Sequence, residues 1–141
     1  MYKKTITYED YNGNKRTEDF YFALSKAEIT EMQLGVEGGF AAMIDKIIKA
    51  QDTPALIKIF KELLLKSYGI KSDDGRRFIK SDELVKEFTQ TPAYSEIYMM
   101  LATDEKQASA FIKNIMPADL AAKAAELEKN GGVTGLPSNT N

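Results

Sequence analysis

The chain has 141 residues, a formal net charge of −2, 43% hydrophobic and 28% charged residues. That is the size and balance of one globular domain, without the basic excess that non-specific nucleic-acid binding requires. Cysteine, histidine and tryptophan are absent, which removes disulfides, thiol nucleophiles and the imidazole that zinc sites and Ser-His-Asp triads use.

The first eleven residues, MYKKTITYEDY, carry lysines but no apolar run behind them, so no signal peptide is expected. No apolar run is long enough to span a bilayer. A cytoplasmic protein is the expectation.

Residues 2–24 predict a β-hairpin. Lys4–Tyr8 and Phe20–Leu24 alternate apolar and polar residues, and Tyr11-Asn12-Gly13-Asn14-Lys15 between them is rich in turn formers. A two-residue Asn12-Gly13 loop would set Ile6 against Asp19. A three-residue loop sets Ile6 against Phe20 and Tyr2 against Leu24. A one-residue slip exchanges the faces of a strand, so a loop of three or five residues is expected. An isolated hairpin is marginal in water. This one is expected to pack on its own helices; the other reading is that its edges or its Tyr21 face meet another subunit.

Ser25-Lys26-Ala27-Glu28 is a capping box, with Leu24 and Ile29 placed as a hydrophobic staple. The most apolar stretch runs from Gly38 to Gly69. Phe40, Met43, Ile44, Ile47 and Ile48 share one helix face, and Leu56, Ile59, Phe60, Leu63 and Leu64 share another. Ile57 and Leu65 widen the second stripe. Asp52-Thr53-Pro54 breaks the chain between them, which predicts an antiparallel helix pair ended by Gly69.

Residues 70–81 form a polar excursion, with Asp73-Asp74-Gly75 as a turn that can form the tip of a second small hairpin with Ile70 and Phe78-Ile79 as its feet. A calcium loop with Gly75 at its sixth position would begin at Ile70, which cannot ligate. Arg76 and Arg77 could grip a phosphate or a partner carboxylate, against the commoner outcome of a solvated, self-paired loop. Helices then start at Ser81 or Asp82, at Thr91-Pro92, at Asp104 and at Pro117. The tail from Gly131, GGVTGLPSNTN, has no charge and is expected to be disordered. The whole predicts an α+β, mainly helical domain over 1–130, an N-terminal hairpin packed on about six helices, and a disordered 131–141.

No catalytic set, metal cluster or cofactor loop emerges. Gly35-Val36-Glu37-Gly38-Gly39 lacks the Lys-Ser/Thr of a phosphate loop and reads as a hinge. Tyr94 and Tyr98 lie four apart, beside Met99 and Met100. They are either core with hydroxyls at the rim or part of a protein-binding patch. The candidate partner-binding residues are Tyr94, Tyr98, Met99, Arg76 and Arg77.

The strand pair ending in FYFALSKAEITEM, the stretch EGGFAAMIDKIIKAQDTPALIKIFKELLLKSYGIKSDDGRRFIKSDELVKEF and the segment YSEIYMMLATDEKQASAFIKNIMP resemble tail assembly chaperones of long-tailed bacteriophages and prophages. The resemblance covers Tyr2 to about Leu120. It implies a non-enzymatic protein without cofactors that binds the tape measure protein and helps recruit tail tube subunits. It implies work in the bacterial host cytoplasm, with no membrane or nucleic-acid partner, and self-association is compatible with it. The apolar surface for a helical client would come from the Tyr94–Met99 region and the last, Ala-rich helix. The alternatives are a virion structural component such as a neck or tail-completion protein, and a small enzyme or nucleic-acid regulator using Arg76 and Arg77, against which the balanced charge argues.

Overall fold

The computed structural model describes residues 1–34 and 49–117. Strands β1 (Tyr2–Glu9) and β2 (Lys15–Phe22) lead into helix α1 (Lys26–Leu34). Helix α2 (Thr53–Ser67) is followed by β3 (Tyr68–Lys71), β4 (Phe78–Ile79) and three helices: α3 (Asp82–Thr89), α4 (Pro92–Thr103) and α5 (Glu105–Ile115). The strands form one four-stranded sheet in the order β1-β2-β3-β4, each neighbour antiparallel. The domain is α+β and mainly helical, as expected, but five helices are described rather than about six. The helix expected over 40–50, the helix from Pro117 and the tail fall outside the described residues.

The hairpin loop has five residues, Asp10–Asn14. The carboxylate of Asp10 organises it, accepting from the amides of Asn12 and Asn14 at 2.9 Å each and from Arg16 Nε at 2.7 Å. Those three bonds, led by Arg16, hold the Asp10 carboxyl below its usual range. Gly13 sits at φ +84°, where only glycine is unstrained. Five residues is one of the two expected lengths; the loop centre falls at Asn12, and the register lies two residues from that of the three-residue loop. Tyr2 faces Phe22 rather than Leu24, and Ile6 faces Glu18 rather than Phe20. A two-residue shift keeps every side chain on its expected face. Glu18 is tolerated beside Ile6 because the Tyr8 hydroxyl donates to it and Arg16 lies 3.6 Å away. That hydrogen bond, together with burial, pushes Tyr8 up to about 12.

The inner face of the sheet carries Tyr2, Tyr8, Phe20 and Phe22, all buried. Phe22 is the centre of the core. Its ring lies 5.8 Å from Tyr68, 5.9 Å from Phe88, 5.8 Å from Phe111 and 6.1 Å from Tyr2. Tyr68 stacks on Phe88 at 4.2 Å. Leu63 and Leu64 of α2, Ile97 and Leu101 of α4, and Phe111 and Ile115 of α5 close around this cluster.

The helices start where capping chemistry directs. Ser25 and Glu28 form the reciprocal capping box, at 3.1 and 2.8 Å. Asp52, Ser81, Thr91 and Asp104 cap α2, α3, α4 and α5. Helix C-termini leave carbonyls without intrahelical partners. Two of these are used as joints: Ala23 N–H donates to Ser67 O at 2.8 Å, and Leu24 N–H to Ile115 O at 2.7 Å. The end of β2 is thereby tied to the ends of α2 and α5.

Gly69 does not end α2, which stops at Ser67. It pairs with Tyr21 inside the sheet. A Cβ there would lie 2.6 Å from the Phe78 ring and 2.9 Å from Ile79 O. The residue is glycine because β4 crosses too closely for any side chain. The small second hairpin itself is as expected, with Ile70 opposite Ile79 and Lys71 opposite Phe78.

Candidate partner-binding groove

The α2 stripe is wider than the core needs. Ile59, Leu63 and Leu64 are buried, while Ile57 and Phe60 are only half-buried on its flank. Ile57, Phe60, Lys61 and Leu64 follow i, i+3, i+4, i+7 spacing and so share one face. On α4, Tyr94, Tyr98, Leu101 and Ala102, at i, i+4, i+7 and i+8, also share one face. The two stripes meet along a crease lined by Ile57, Phe60, Lys61, Leu64, Tyr98, Leu101 and Ala102. The crease opens toward the start of α4 into a hollow of about 230 Å³, lined by Lys61, Tyr94, Ser95, Tyr98 and Met99.

Leu64 and Leu101 form the floor, with 1% and 4% of their surface exposed. Phe60 and Tyr98 make the walls. Met99 stands at the rim and is 55% exposed, one of four large apolar residues so placed among the described residues. Tyr94 anchors the hollow to the core through an edge-to-face contact with Phe88 at 5.4 Å, and its ring lies 6.0 Å from Tyr98. Burial, with a smaller contribution from Tyr98, pushes the Tyr94 hydroxyl above its ordinary value. It stays a neutral polar group. Among the described residues Lys61 supplies the one charge in the lining. The crease itself is nearly closed, at about 10 Å³, so what a partner can meet is the shallow hollow with its lysine and flexible methionine.

Of the candidates read from the sequence, Tyr94, Tyr98 and Met99 come together here. Arg76 and Arg77 do not; they lie in the β3–β4 turn. There Asp74 accepts from the Arg76 amide at 3.0 Å and the Ser72 hydroxyl at 2.8 Å, and the Arg77 amide donates to Ser72 Oγ at 3.0 Å. These bonds, the Arg76 amide first, hold Asp74 below its usual range. The turn is held by backbone amides, and both arginine side chains point into solvent without an ion-pair partner among the described residues.

Sequence reasoning missed Ile57, Phe60 and Lys61 as groove residues. The available signal is the width of the α2 stripe, to which Ile57 adds. The last helix, expected to contribute apolar surface, lies outside the described residues.

Among the described residues no cluster of acidic side chains is placed to hold a metal, and no helix is long and apolar enough to cross a membrane. Fold and groove together leave a partly apolar surface open beside α2 and α4. A sequence model of the phage tail assembly chaperone family matches residues 1–140, and the chain belongs to that family. No curated protein and no solved structure matches it.

Proposed function

We propose that the chain binds the phage tape measure protein through the α2–α4 groove, keeps it soluble in the bacterial host cytoplasm, and helps recruit tail tube subunits to it. The protein acts by binding rather than by catalysis. The observation that carries this reading is the shallow open hollow with Met99 exposed at its rim, in a member of a tail assembly chaperone family. A long helical client exposes apolar stripes before it is encased, and a groove of this kind covers such a stripe one helix face at a time.

Co-expression with the tape measure protein, followed by pull-down and solubility measurement, tests it. The expected result is a soluble complex that Tyr98→Ala combined with Met99→Ala weakens strongly. Unchanged capture by a folded double variant rules the groove out as the contact site. Recovery of the chain in purified virions would favour the alternative of a structural component.

A further inference from the structure

Among the described residues the sheet ends at β1. Its eight residues pair with β2 along one side, and no strand among the described residues lies along the other. Such an edge offers an unpaired row of N–H and C=O groups to any strand that fits. Natural edges are commonly blunted by proline, a bulge or charged side chains, and β1 carries the lysines Lys3 and Lys4. β1 contains no proline, and its pairing with β2 runs unbroken from Tyr2 opposite Phe22 to Glu9 opposite Lys15.

We propose that β1 pairs antiparallel with β1 of a second copy, about a two-fold axis at Ile6, joining the two sheets into one. Side chains alternate along a strand, so only registers that set odd positions against odd keep the faces continuous. With the axis at Ile6, Lys3 meets Glu9 of the second copy, Thr5 meets Thr7 and Ile6 meets itself. Two-fold symmetry makes each of the unlike pairs twice. An axis at Thr5 instead sets Tyr2 against Tyr8 and Lys3 against Thr7, with no charge pair. An axis at Thr7 sets Lys4 against Asp10, whose carboxylate is already committed to Asn12, Asn14 and Arg16. The strand is self-complementary in charge in one face-preserving register.

The groups that register uses are available. Lys3 and Glu9 are exposed. Lys3 has only a loose contact with Asp19, at 3.7 Å with its side chain 55% exposed. Ile6 packs against the core but remains half-buried, and its counterpart would cover it.

Sedimentation of the full chain over a range of concentrations is the test, with amide hydrogen exchange beside it. The expected result is a reversible dimer, and slower exchange in β1 as concentration rises. Lys3→Glu or Glu9→Lys alone turns two attractions into two repulsions, and each lowers association about tenfold. Lys3→Glu with Glu9→Lys restores the opposite pairs and recovers the dimer, with thermal melts confirming that all three variants are folded. A chain that stays monomeric with concentration-independent exchange in β1 overturns the proposal. So does a dimer indifferent to either single swap, or one that the folded double variant fails to recover.

Discussion

Lys80 Nζ lies 2.8 Å from both carboxylate oxygens of Glu28, and 2.7 Å from the carbonyl of Ala23. One ammonium thus joins the start of α1, the end of β2 and the lead into α3. Burial works against the Glu28 charge, but Lys80 and the Ser25 amide outweigh it and leave the carboxyl below its usual range. Both side chains are mostly covered, at 23% and 29% exposure. Lys80→Met removes the cation and leaves an acceptor unsatisfied, so it should cost about 1–3 kcal/mol. A double-mutant cycle with Glu28→Gln, read by urea unfolding, should show clear non-additivity. The pH dependence follows from the direction of the shift. A depressed carboxylate stabilises the fold fully above its unfolded value, and that share is lost as pH falls through its lower folded value. Glu28→Gln should flatten the acid limb of the stability curve.

Gly69 has no room for a methyl group. Gly69→Ala would press a carbon against the Phe78 ring and the Ile79 carbonyl. We expect a loss of about 1–3 kcal/mol in thermal or urea unfolding. Phe78→Ala added to Gly69→Ala should relieve only part of it, because the backbone oxygen at 2.9 Å remains.

Local chemistry was what the sequence displayed best. The capping box at Ser25, the starts at Pro54, Ser81, Thr91 and Asp104, and the feet of the second hairpin are all set by a few adjacent residues, and all stand where expected. The hairpin register was legible only to within its face, because alternation fixes parity while the Asp10 carboxylate fixes the loop. Glu28 was read as half of a capping box. Its second bond comes from a residue 52 positions away, and nothing local announces it. The groove was half legible for the same reason. Tyr94, Tyr98 and Met99 sit on one helix and could be grouped by spacing. Phe60 and Lys61 join them only because α2 and α4 pack together.

Tyr2 is 8% exposed, yet its hydroxyl has no hydrogen-bond partner among the described residues. Its ring makes an edge contact with Phe111 at 5.4 Å. Burial raises its pKa, so the group stays protonated and unsatisfied. Tyr2→Phe keeps the ring and discards the orphan hydroxyl. It should leave stability unchanged or raise it by about 1 kcal/mol. Phe22→Ala, in contrast, empties the middle of the aromatic cluster and should cost about 3–5 kcal/mol. Melting temperatures of the two variants give the comparison directly.

Met99 and the Arg76–Arg77 pair separate the two binding surfaces suggested by the sequence. Met99 is exposed and contributes little to the core, so Met99→Ala should change stability by no more than about 0.5 kcal/mol. It should still weaken capture of a helical client, because the thioether is the mobile apolar group at the mouth of the hollow. Arg76→Ala with Arg77→Ala should be equally silent in melting, since the turn is held by their amides and not by their guanidinium groups. If the groove is the contact, that double variant captures the client as well as the unmodified chain does. Loss of capture in the arginine variant, with Met99→Ala unaffected, would move the contact to the β3–β4 turn. Salt-dependent DNA binding lost with the arginines would instead make that turn an anion site.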